Sequence, residues 1–166
     1  MTERLAVVQE KCVKRLLAGV ESWNKWRQAN PYTIPDLMEE DLRGANLNKA
    51  NLKWVKMAGA DLRGCSLRGA DLTQADLENA DLRDADLRAA NFKEAKLRGA
   101  DLAGANLGGA ELSQADLSNA NLGQSDLRWS RLETAILDGA YLEGSRVAGA
   151  KLPPVEVLQR ILRRKA

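Results

Sequence analysis

From Leu37 onward, every fifth position holds a large apolar residue, running Leu37, Leu42, Leu47, Leu52, Met57, Leu62 and on to Leu142, Val147 and Leu152. The series has 24 members, 21 of them Leu, with Met57, Phe92 and Val147 as the exceptions. Two positions before each stands a small residue, Ala at 17 of the 24, with Cys65, Ser125, Ser130 and Ser145 as close substitutes. Asp or Asn usually lies between, as in Ala70-Asp71-Leu72 and Ala105-Asn106-Leu107. A period of five suits neither common element. On an α-helix successive leucines would wind around every face, and on a flat strand they would alternate between faces. The conflict disappears if the chain turns a corner once per repeat. The small residue and the Leu then point inward on a short extended segment, and the next two residues make the corner. Residues suited to turns collect there, as at Arg43-Gly44, Arg63-Gly64, Glu78-Asn79 and Gly108-Gly109. The expected fold is an all-β solenoid, each coil stacked on the last.

The run Ala-(Asp/Asn)-Leu-x-x resembles the pentapeptide repeat family, and the resemblance covers Asp36 to Leu152. It implies a right-handed quadrilateral β-helix with four repeats per coil, hence about six coils in a rod of ~29 Å at ~4.8 Å per coil. On that fold the structural core includes Leu62, Leu72, Leu82, Leu87, Phe92 and Leu102. The expected organisation is a capping helix and linker over 1–35, the β-helix over 36–152 and a capping helix over 153–166.

Open coil ends expose leucines and an unpaired strand edge, so caps are expected. Leu5, Val8, Cys12, Leu16, Val20 and Trp23 follow helical spacing. They predict one helix from about Thr2 to Gln28, stopping before Asn30-Pro31, with Trp23 and Trp26 as a lid on the first coil. The pieces Trp23-Asn24-Lys25-Trp26-Arg27 and Pro35-Asp36-Leu37 look like the leader that precedes the repeats in many cyanobacterial members of the family. At the other end Pro153-Pro154 halts the coil. Val155, Val157, Leu158, Ile161 and Leu162 then predict a short amphipathic helix, with Leu158 and Ile161 capping and Arg160, Arg163, Arg164 and Lys165 around them.

Composition narrows the function. Hydrophobic residues make up 45% of the chain but aromatics only 4%, with 26 Leu and 25 Ala supplying most of the apolar content. The absence of His excludes His acid–base, nucleophile and metal chemistry. The interior is expected to be filled by Leu and Ala, so no catalytic residue, cofactor, metal or small-molecule substrate is expected. The column Asp41, Asp61, Asp81, Asp101 and Asn121, with Arg43, Arg63 and Arg83 beside it, reads as charge compensation on a solvated face rather than a metal ladder. The net charge of +2 divides into +3 at each end and −4 across 36–152. Cys12 and Cys65 fit no disulfide framework or metal motif. No apolar run approaches a membrane span, and charges interrupt the first twenty residues, so a cytoplasmic protein is expected.

The last coil departs from pattern. Arg131, Ile136, Tyr141 and Arg146 occupy positions that elsewhere favour Asp or Asn, with Arg128 and Trp129 beside them. Residues of these types dominate interface energetics. The leading reading is therefore a non-catalytic module for protein–protein interaction. Its rigid rod presents a charged face and an atypical last coil to an unknown protein partner, with capped ends that favour a monomer. Two alternatives stand beside it. Family resemblance allows a DNA mimic acting on DNA gyrase, as in quinolone-resistance relatives. The basic ends allow nucleic-acid binding, although nucleic acid is not the expected partner.

Overall fold

The computed structural model describes residues 11–155. The N-terminal part is not one helix. Helix α1 occupies 11–17, the chain breaks at Ala18 and Gly19, and α2 runs Val20–Ala29. Gly19 sits at φ 135°, a conformation open to it because it lacks a Cβ. Helical periodicity continues across the break, which is why the pattern alone reads as a single helix. Asn30 ends α2, donating its amide to Arg27 and its side-chain amide to Trp26.

From Asp36 onward the chain coils. Parallel bridges join residues twenty apart, from Asp36–Lys56 to Arg131–Lys151, so four five-residue units complete one turn. The bonding repeats with each unit. Leu62 N–H donates to Asp81 O at 2.7 Å, Asp81 N–H donates to Ala60 O at 3.0 Å, and Cys65 N–H closes the corner on Leu62 O at 3.1 Å. The Asp/Asn position earns its preference here. Its Oδ1 accepts the amide two residues on, as from Arg63 to Asp61 at 3.2 Å and from Gly108 to Asn106 at 3.1 Å.

The coil has four faces, named by their central columns. Face 1 carries Asp36, Lys56, Asp76, Lys96, Asp116 and Ile136. Face 2 carries Asp41, Asp61, Asp81, Asp101, Asn121 and Tyr141. Face 3 carries Asn46, Ser66, Asp86, Asn106, Asp126 and Arg146, and face 4 Asn51, Asp71, Asn91, Glu111, Arg131 and Lys151. Inside, Leu62, Leu72, Leu82, Leu87, Phe92 and Leu102 are fully buried, walled by Ala residues at 0–1% exposure. Burying each large side chain contributes about 1.5–3 kcal/mol before chain entropy is counted.

Every corner from Glu39 to Gly149 places its second residue in the left-handed region, with Thr134 the one exception. A β-branched side chain tolerates that region worst. At Thr134 the coil-to-coil bond is made differently, with the Gln114 amide donating to the Thr134 hydroxyl at 3.0 Å.

The corner side chains lean along the rod toward the next coil. On faces 1 to 3 each long side chain at the second corner position is followed, twenty residues on, by Gly: Glu39 by Gly59, Lys49 by Gly69, Asn79 by Gly99, Asp84 by Gly104, Asn119 by Gly139, Gln124 by Gly144 and Trp129 by Gly149. A Cβ on Gly104 would lie 2.5 Å from Asp84 Oδ1, and one on Gly139 would strike Asn119. Face 4 has no such glycines. There the corner residues form a hydrogen-bonded ladder, Trp54 indole to Gln74 and Gln74 to Glu94.

Candidate interaction surface

At the N-terminal edge, α2 supplies groups that a preceding coil would otherwise provide. The buried Trp23 donates its indole N–H to Asn51 O at 2.8 Å. Asn24 accepts the Asn51 amide at 2.8 Å and donates to Lys49 O at 3.0 Å. Arg27, only 3% exposed, donates to Thr33 O and to Lys53 O. Burial lowers the Arg27 pKa from its ordinary value. Trp26 is half-buried, 5.2 Å from Trp23, with the Arg15 guanidinium over its ring. The sequence singled out Trp23 and Trp26. Asn24 and Arg27 enter the sequence reading only as members of the leader-like run, because nothing in a polar side chain on an amphipathic helix marks it as edge-filling. Leu158 and Ile161 lie outside the described residues.

The expected contact residues of the last coil do not form one patch. Ile136 stands on face 1, Tyr141 on face 2, Arg146 on face 3 and Arg131 on face 4. Successive units point a quarter-turn apart, so neighbours in sequence look in four directions. Arg131 lies 3.2 Å from both Glu111 and Glu133. Tyr141 lays its ring over Gly123 and donates its hydroxyl to Glu143.

Arg128, Trp129 and Arg146 do come together. Asp126 is 5% exposed and receives Nη2 of Arg128 and Nη2 of Arg146, each at 2.7 Å. Hydrogen bonding from the Arg128 side chain, then its backbone amide, with the charge of Arg146 added, holds the Asp126 carboxyl down to about 2 despite its burial. Trp129 stands beside them, 73% exposed, with its ring seated over Gly149.

Charge is sorted by face. With the two corner residues that follow each column position, faces 1 and 2 each carry a net −3 and face 4 is neutral. Face 3 holds Lys49, Arg68, Arg88, Arg128 and Arg146 against Asp86 and Asp126, a net +3. Linear segment charges conceal this sorting, and stacking the sequence in columns of twenty reveals it. On face 2 the acidic column is interleaved with cations. Arg43, Arg63 and Arg83 each hold the aspartate of their own coil at 2.6 Å and lie 3.6–3.8 Å from that of the next.

Among the described residues, no group of three or more His, Cys, Asp or Glu side chains is placed to hold a metal. Among the same residues, no helix is long and apolar enough to cross a membrane. The arrangement offers rigid, outward-facing charged and aromatic groups on a filled β-solenoid.

This is the surface of a repeat scaffold, and comparisons with known proteins agree. The family model of pentapeptide repeats matches residues 36–64, 65–102 and 95–133, more than half of the sequence. The chain belongs to the pentapeptide repeat family, whose members form right-handed quadrilateral β-helices and are generally non-catalytic repeat modules. Among solved structures it is similar to the pentapeptide repeat protein Rfr23 of the cyanobacterium Cyanothece 51142, at 27% identity and a TM-score of 0.56 over 78% of this chain and 97% of that one. A pentapeptide repeat protein of the Arabidopsis thaliana thylakoid lumen matches at 27% identity and a TM-score of 0.43, over 78% and 74% of the two chains. The plasmid-mediated fluoroquinolone resistance protein QnrB1 matches at 17% identity and a TM-score of 0.30, over 81% and 84%. No curated protein sequence matches.

Proposed function

We propose that this chain is a non-catalytic interaction module that binds a protein partner through the C-terminal part of its rod. The observation that supports it best is the cluster of Arg128, Trp129 and Arg146. Exposed groups of hot-spot type are held in place there, the arginines by Asp126 and the indole by Gly149. Pre-set side chains lose little conformational freedom on binding. Arg131, Ile136 and Tyr141 ring the same coil and would serve a partner that approaches along the rod axis. In this reading 36–152 forms a six-coil monomeric scaffold, and 1–35 and 153–166 serve as its caps. Two buried, unpaired thiols, Cys12 and Cys65, support a reducing cytoplasmic setting.

The DNA-mimic reading needs a continuous negative potential. The arginines threaded between the face 2 aspartates weigh against it, as does the basic face 3. Affinity purification from the source cell with wild-type and Trp129→Ala/Tyr141→Ala rods as bait tests the proposal. The double variant should lose a protein that the wild type retains, and an unchanged set of co-purifying proteins removes the assignment.

A further inference from the structure

The sequence contains one Gly-Gly pair, Gly108-Gly109, and it falls in the middle of the basic face. The preceding coils carry Arg68 and Arg88 at the equivalent of position 108, and the following coil carries Arg128. The pair therefore cuts a notch in a row of arginines. No atom lies within 4 Å of where a Gly109 Cβ would stand. A Gly108 Cβ would meet Asn106 Oδ1, the acceptor of the Gly108 amide, at 3.2 Å, and the Arg88 Cγ and the Arg128 carbonyl at 3.8 Å. Two coils separate Arg88 from Arg128, about 10 Å along the rod.

Both walls are fixed in place. Arg88 gives Nε and Nη2 to Asp86 at 2.8 and 2.6 Å, and Arg128 gives the same pair of donors to Asp126 at 2.9 and 2.7 Å. A guanidinium has five N–H donors, so each retains others beyond those spent on its aspartate. Each aspartate also faces a second arginine, Arg68 at 3.9 Å from Asp86 and Arg146 at 2.7 Å from Asp126, so each group of three is net positive.

We propose that this notch binds an acidic, extended segment of a partner protein. Its carboxylates would enter between Arg88 and Arg128 over the Gly108-Gly109 floor, and the segment would run on along the rod past Arg128 toward the Trp129 indole. Charge complementarity selects the sign of the partner. The rest of the rod selects its size. Faces 1 and 2 each carry −3, and at a screening length of about 10 Å a long polyanion on face 3 still senses them. A short acidic segment touches face 3 alone.

The inference rests on the interaction-module reading and is tested separately from it. The probe is a synthetic peptide of about eight alternating Glu and Asp residues, long enough at ~3.3 Å per residue to span the notch. It is titrated into full-length protein and followed by amide and indole NMR shifts. Gly108, Gly109 and the Trp129 indole should shift saturably, and Arg88→Gln/Arg128→Gln should weaken binding tenfold or more. Gly108→Glu should do the same while leaving both arginines in place, at a position where the fold elsewhere carries side chains. Arg43→Gln/Arg63→Gln on face 2 should bind as wild type. No shift at Gly108 and Gly109, or equal loss in the face 2 variant, overturns the proposal. So does a single-stranded oligonucleotide that binds the notch more tightly than the peptide, or a peptide-free concentration dependence at these amides, which would mark a self-interface. If these tests fail while the Trp129→Ala/Tyr141→Ala bait still loses its partner, the module reading survives without this site.

Discussion

The Trp129 indole lies across Gly149, one coil further along the rod, where a side chain on residue 149 would strike its ring. The relation predicts two different costs for one kind of substitution. Gly64→Ala meets no atom within 4 Å and should cost only the left-handed strain, about 1–2 kcal/mol. Gly149→Ala should cost the same strain and also dislodge Trp129. A measurable change in indole fluorescence in Gly149→Ala, absent from Gly64→Ala, is the expected result, with urea melts giving the stabilities.

Asp126 carries a pH signature. Its folded carboxyl is depressed to about 2, so its contribution to stability is fully present above the unfolded value near 4 and is lost as pH falls through about 2. The melting-temperature difference between wild type and Asp126→Asn should be constant from pH 7 to about pH 5 and then shrink toward pH 2. A difference that grows on acidification contradicts the pairing with Arg128 and Arg146.

The N-terminal edge depends on one amide side chain more than on its charged neighbour. Asn24→Ala leaves the Asn51 N–H without its acceptor and should cost about 1–3 kcal/mol. Lys25→Ala breaks only an exposed, solvent-screened ion pair with Glu21 and should cost much less than Asn24→Ala. Denaturant midpoints rank the two. Light scattering should also show more self-association in Asn24→Ala, because an uncovered strand edge recruits other edges.

Leu87, at mid-rod and fully buried, separates cavity from charge. Leu87→Ala should remain folded with a loss of about 2–5 kcal/mol. Leu87→Lys should unfold the rod, because the axis offers an ammonium no partner. A far-UV spectrum and melt like wild type for Leu87→Lys would show that the register does not point inward.

The repeat, the inward Leu and Ala positions and the corners were legible because each residue type recurs in frame and each has one place to go. The break at Gly19 was not, since the apolar pattern Cys12, Leu16, Val20, Trp23 runs through it. The surface was legible only in part. Arg131, Ile136, Tyr141 and Arg146 read as one group because they are near in sequence, but the coil turns them to separate faces. Arg68 and Arg88 read along the chain as ordinary repeat residues, yet the coil aligns them with Arg128. The alternation of long side chain and Gly lives in the second corner position, where it shows only between residues twenty apart.

That alternation sets how such a rod can lengthen. Copying the single coil that carries Asn119, Gln124 and Trp129, twenty residues, would put two long side chains in line on faces 1, 2 and 3 together, as second corner residues do here only in the hydrogen-bonded ladder of face 4. Copying two coils keeps every long residue opposite a Gly. The gene segment that can be duplicated from any coil without repair is therefore one encoding forty residues, although the motif the eye sees is five.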